Sequence, residues 1–200
     1  MTFSLPSKRS SREAEFWGWF EKNEDRLFHF EHDRERIFGR LMTAIHRVHP
    51  DLTFEFGPVE GGNREFVISA DGHGAAFPAV EAVFAAAPSL PRWKFTKFRP
   101  RRPAMGLKIQ GVTVNPEDLE VSVEADGNKV GLTVFMRGFD EAEEEALTYA
   151  AFIMLDHAVG EYDMETQVGF VSVKAFDEET PRTRFSLQFL PIAFDDFVKR

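Results

Sequence analysis

The chain has 200 residues, a formal net charge of −9 and no cysteine. Its length allows one substantial domain or two small ones, with a core large enough to need no covalent staple. The missing thiols exclude disulfides, thiolate zinc sites and thiol catalysis, and the acidic balance argues against general affinity for nucleic acid or anionic membranes.

Residues 1–9 read as a polar, mobile tail, and residues 10–200 as a single domain. The opening "MTFSLPSKRSSREAEF" lacks the apolar stretch of a secretory signal, and no later run is long and apolar enough to span a bilayer. A cytoplasmic protein without membrane contact is therefore expected. Ser10–Glu13 has capping-box spacing, with Ser10 as N-cap, and Phe16, Trp17, Trp19 and Phe20 follow as an aromatic helix face. A clearer helix starts after Asp33, where Ile37, Phe38, Leu41, Ile45 and Val48 share one side, and His49-Pro50 ends it.

The period then changes to two. Leu52, Phe54 and Phe56 alternate with polar residues as a strand, "GPVEGGN" is a loop, and Arg64–Ala70 returns as a second strand. "DGHG" leads into a helix near Ala76–Ala87, with Pro78 in its first turn and Pro88 past its end. Trp93 and Phe95 continue as a strand. The second half repeats that order. "LEVSVEADGNKVGLTVFM" is a hairpin turning at Asp126-Gly127, and Asp140 caps a helix reaching Val159, apolar on most sides and expected to be buried. Gly160 is its natural C-terminal stop. "QVGFVSVKA" and "TRFSLQF" close the chain as strands. The fold class expected is α+β: N-terminal helices, then two strand-strand-helix-strand units (51–98 and 118–174) forming a mixed or antiparallel sheet with helices on one face.

Seven basic residues fall between Arg92 and Lys108, and no acid occurs from Ala82 to Pro116. Arginine suits carboxylates and phosphates, and Pro100 and Pro103 stiffen the segment that carries Arg99, Arg101 and Arg102. Two readings follow. In one, Trp93, Lys97, Arg99, Arg101 and Arg102 bind a protein partner or a small anionic ligand, which requires the three arginines to be exposed beside Trp93 or Phe98. In the other, the arginines pair with the chain's own acids, for example Asp177-Glu178-Glu179, as charge runs on ordinary faces do.

Motifs of catalysis are absent. No G-x-S-x-G elbow, phosphate loop or dinucleotide fingerprint occurs, and no cofactor is implied. The pairs His29/His32 and His46/His49 lack the further ligands a metal needs. "DGHG" (Asp71–Gly74) serves an ordinary strand-to-helix turn. Asp156, His157 and Glu161 in "LDHAVGEYD" could form a dispersed acid/base site only if their side chains converge in a cleft. Glu161, after Gly160, is expected to satisfy backbone donors in the exit turn. A non-enzymatic binding or protein-interaction protein is the preferred expectation, and an enzyme built on those three residues the alternative.

Four stretches, "FWGWFEKNEDRLF", "PDLTFEFG", "APSLPRWKFTKFRPR" and "LDHAVGEYD", together resemble a family of uncharacterised bacterial proteins. The resemblance implies a bacterial cytosolic α+β protein and carries no catalytic residue with it.

Overall fold

The first helix begins one residue later than its capping-box spacing suggests. In the computed structural model, which describes residues 10–178 and 183–199, the Ser11 side chain accepts from the Ala14 N–H at 3.2 Å and caps α1 (Arg12–Lys22). Ser10 instead donates its hydroxyl to Glu15. The tail read at residues 1–9 lies outside the described residues. The chain, read as one domain from its sequence, divides by its contacts into two compact units, Met1–Phe98 and Arg99–Arg200. Each has its own hydrophobic core.

In the first unit, α1 is followed by α2 (Glu24–Phe28), a 3₁₀ turn at Phe30–Asp33 and α3 (Arg34–Ile45). Asp33 stands at the start of α3 but gives no side-chain cap; its carboxylate pairs with Arg36 at 2.9 Å. The strand expected to end near Phe56 runs on as β1 (Thr53–Glu60), because the tight hairpin sits only at Gly61-Gly62. Both glycines have positive φ, as a two-residue type I′ connection demands. Pro58 cannot donate to a ladder, and the register shifts around it between Phe56 and Val59; that is tolerable because β1 is an edge strand. β2 (Asn63–Ser69) pairs antiparallel with β1 and parallel with β3 (Trp93–Lys97), which returns after α4 (Phe77–Ala85).

The aromatic content of the sequence is concentrated here. Phe20 is fully buried and meets Phe66, Trp93 and Trp17 edge-to-face at about 5 Å. Phe54, Phe56 and Trp93 add to the same cluster. Rings in tilted contact satisfy their quadrupoles as well as excluding water.

The second unit opens with a small hairpin that the periodicity does not announce, β4 (Leu107–Ile109) and β5 (Val112–Val114). β6 (Leu119–Asp126) and β7 (Lys129–Met136) form the expected hairpin, turning at Gly127-Asn128, one residue beyond the Asp-Gly signal. A long helix, α5 (Glu144–Val159), and a short one, α6 (Glu161–Gln167), precede β8 (Val168–Ala175), which lies parallel to β7. Asp140 caps a 3₁₀ turn ahead of α5, accepting from the Ala142 N–H at 2.9 Å. The last expected strand is cut to β9 (Phe185–Ser186), because "LQFLPIAFDDFV" turns into a 3₁₀ turn and α7 (Leu190–Val198). The strand order β8-β7-β6-β9 is mixed, as is β1-β2-β3. In both units an antiparallel hairpin is followed by helix and then by a strand parallel to the hairpin's second strand. The architecture is α+β.

Candidate functional site

The arginine loop and the helix exit of "LDHAVGEYD" meet within the second unit. α5 ends with carbonyls that no helical N–H can reach, and the loop supplies the missing donors. The Arg102 N–H donates to His157 O at 2.7 Å, and Arg101 Nε to Val159 O at 2.7 Å. Gly160 reverses the chain at φ +89°, and a Cβ there would lie 3.3 Å from Arg101 Cγ. Glycine is thus required twice over, for backbone freedom and for the close approach of the loop.

Glu161 is completely buried. Its carboxylate accepts from the Arg99 N–H at 2.8 Å and lies 3.8 Å from Arg99 Nε, while Asp156 lies 3.4 Å from that same Nε. Arg101 is held on two sides, by Asp163 and Asp195, both at 2.8 Å. Desolvation of the Arg101 guanidinium works against its charge, but the bonds to Asp163 and Asp195 outweigh it and hold its pKa above the ordinary value.

For Arg99 and Arg101 these contacts match the second reading of the basic stretch. Arg99 and Arg101 are engaged by acids of the same unit, so they do not offer the exposed, unmatched charges that the binding reading requires. In the first unit, Trp93 and Phe98 are buried, and the Trp93 indole N–H donates to Glu24. Lys97 pairs with Glu81 at 3.0 Å, Lys94 with Glu65 at 2.9 Å, and Arg92 with Glu24 and Asp25. The acids found on Arg99 and Arg101 are Asp156, Glu161, Asp163 and Asp195; the run Asp177-Glu178-Glu179 was the example named from the sequence. Asp177 gives its carbonyl to Arg184 Nη2, and Glu179 lies outside the described residues. Asp156 and Glu161 do come together, but on the Arg99 guanidinium. Glu161 does satisfy a backbone donor, that of Arg99 rather than one in its own turn. A cavity of about 580 Å³ lies beside this clasp, with Arg101, Arg102, Pro103, Glu117, Leu187 and Pro191 among its walls. Its Arg101 is already matched by two carboxylates.

The other sequence candidates resolve into local structure. His73 Nδ1 sits 2.9 Å from Ala70 O in the "DGHG" turn, where Asp71 and Gly72 both take positive φ. His29 is close to Asp25, and His49 Nδ1 accepts from the Asp51 N–H. Among the described residues, no group of three or more His, Asp or Glu side chains is placed to hold a metal ion.

A different surface stands out in the second unit. α5 is not buried all round: Tyr149 is 51% exposed and Phe152 42%. Glu145, Thr148, Tyr149 and Phe152 recur at three- and four-residue steps and therefore share one side of the helix, with Glu141 in the 3₁₀ turn just ahead of it. With Ala142 and Glu144 they line a shallow cavity of about 630 Å³. Among the described residues none of Glu141, Glu144 and Glu145 has an ion-pair partner. The spacing was available in the sequence, but the many apolar residues of the helix masked it.

Comparison with protein-family models, with curated proteins and with solved structures found no match to this chain.

Proposed function

We propose that this chain is a binding protein that docks a basic segment of another protein on the outer face of α5. The observation carrying this reading is the pair of large rings, Tyr149 and Phe152, left in water within a cavity rimmed by the unmatched Glu141, Glu144 and Glu145. Isolated exposed apolar residues are ordinary, but aromatic rings grouped inside a charged rim have the composition of an interface. The chemistry selects the partner. Lysine and arginine side chains can lie over the ring faces while their heads reach the carboxylates. The acid-and-aromatic stripe runs about 12 Å along α5 from Glu144 to Phe152, which fits a peptide segment better than a small cation. A bacterial cytoplasmic setting belongs to the same proposal, supported by the cysteine-free composition and the family resemblance.

The enzymatic alternative gains nothing from the geometry. Asp156 and Glu161 act as counter-ions to Arg99, and Glu161 is sealed from solvent.

The test uses a fluorescently labelled amphipathic peptide of lysine and leucine, with binding followed by anisotropy. The paired substitutions Tyr149→Ala/Phe152→Ala and Glu144→Lys/Glu145→Lys should each weaken binding by about tenfold or more, the scale of a lost anchor. Glu21→Lys/Glu60→Lys makes the same charge change on the first unit and should have little effect. An equal loss in that control, or no saturable binding to the unmodified protein, would overturn the reading.

A further inference from the structure

We infer that the first unit carries, between α1 and α3, a binding site for a small organic anion: an apolar body with a carboxylate or phosphate head. The site is built from two helical faces. On α1, Arg12, Glu15, Phe16 and Trp19 recur at i, i+3, i+4 and i+7 and form a single stripe. Opposite them stand Ala44 in the last turn of α3 and Arg47 three residues on. Together these six residues line a cavity of about 330 Å³. Ala44 contributes only a methyl group to these walls, and room remains. That room equals about eleven waters at the liquid's volume, the scale of a one- or two-ring organic acid.

Charge says what kind of molecule fits. Several cations of this unit are matched: Arg36 by Asp33, Arg64 by Glu31, Arg92 by Glu24 and Asp25, Lys94 by Glu65 and Lys97 by Glu81. Arg12 and Arg47 have no ion-pair partner among the described residues. Glu15 lines the cavity too, yet it is out of ion-pair reach of both arginines and accepts from the Ser10 hydroxyl at 2.9 Å. A third donor is the Trp19 indole. The Trp17 indole N–H is bonded to Val83 O at 2.8 Å and that of Trp93 to Glu24 at 3.2 Å, whereas that of Trp19 has no acceptor among the described residues. Two guanidinium groups and an indole N–H around a floor of Phe16 and Ala44 suit an anionic head with an apolar body. Guanidinium pairs carboxylate or phosphate in the same forked geometry, so the head is defined by class. This inference stands apart from the α5 face.

The experiment is a titration of the ¹⁵N-labelled protein with 1-naphthoate and, separately, 1-naphthyl phosphate, followed on the three indole N–H resonances. Trp19→Phe assigns the Trp19 signal. A saturable shift of the Trp19 signal is expected, with the Trp17 and Trp93 signals nearly still. Arg12→Gln and Arg47→Gln should each weaken binding about tenfold, the scale of a lost hydrogen bond to a charged group. Glu15→Gln should tighten it, because one repelling charge is gone. Arg40→Gln, an exposed arginine outside the cavity, should change nothing. The relative affinity of the two probes identifies the head. Equal movement of all three indoles would overturn the inference. So would equally tight binding of neutral 1-naphthalenemethanol, or an Arg40→Gln loss matching that of Arg47→Gln.

Discussion

Arg99 and Glu161 exchange two hydrogen bonds: the Arg99 N–H donates to the Glu161 carboxylate at 2.8 Å, and the Glu161 N–H donates to the Arg99 carbonyl at 3.1 Å. The pair spans 62 positions of sequence and ties the start of the arginine loop to the start of α6. Because Glu161 is fully buried, replacing it with alanine leaves a desolvated N–H and a guanidinium short of one counter-ion. Urea unfolding followed by far-ultraviolet circular dichroism should show Glu161→Ala destabilised by about 3–5 kcal/mol. Glu161→Gln keeps an acceptor for the Arg99 N–H and should lose about 1–3 kcal/mol. Alanine and glutamine variants equal to the unmodified protein would mean that the clasp adds nothing to stability.

Gly160 supports the same clasp through its backbone. At φ +89° and ψ 145° it occupies a region that side chains disfavour strongly, so Gly160→Ala should cost about 1–3 kcal/mol in strain. The nearby Arg101 must also give way, being 3.3 Å from the added carbon. Matching unfolding midpoints for the two proteins would contradict this account.

In the first unit the test is pH. Arg64 is buried against the rings of Phe28 and Phe30 and bonded to Glu31. That bond, stronger than the opposing desolvation, holds the Glu31 carboxyl below its usual 4.5. On acidification the unfolded chain therefore takes up this proton before the folded one does. The contribution is fully present above pH 4.5 and is lost as pH falls through the lower folded value. Glu31 is largely exposed, so solvent screening keeps the effect small. The advantage of the unmodified protein over Glu31→Gln should be constant at neutral pH and shrink below pH 4.5. An advantage independent of pH down to pH 3 would refute the assignment.

Phe20 tests the aromatic core. It is sealed from water and in contact with Phe66, Trp93 and Trp17, so Phe20→Ala should destabilise the first unit by about 3–5 kcal/mol. Trp17, Trp19 and Trp93 all lie in that unit. Their emission reports its unfolding directly, and an unchanged emission midpoint would show that the cavity is refilled.

Much of the local structure was legible. The patterns in Thr53–Phe56, Phe66–Ala70 and Leu119–Met136 identified strands, although Phe66–Ala70 and Val130–Met136 are buried on both faces rather than one, and Gly160 marked the end of α5 because a reversal there needs positive φ. The misreadings have equally local causes. Ser10 and Ser11 are chemically alike, so spacing alone could not choose the cap. The 3₁₀ turn Leu187–Phe189 was read as strand because Phe185, Leu187 and Phe189 alternate just before Pro191 enters the first turn of α7.

What the sequence by itself determined was the type and order of most elements, the aromatic character of the first core and the acidity of the chain. Periodicity and turn chemistry act over a few residues, so they are written where they operate. Only the tertiary structure decided what the arginines do. The partners of Arg99 and Arg101 lie some sixty or more residues away, on elements brought near by helix and strand packing. The same packing left Tyr149 and Phe152 in water on a helix rich in apolar residues, and left Arg12 and Arg47 unmatched beside Trp19. Exposure and ion pairing depend on which neighbours arrive, and neighbours distant in sequence leave no local trace.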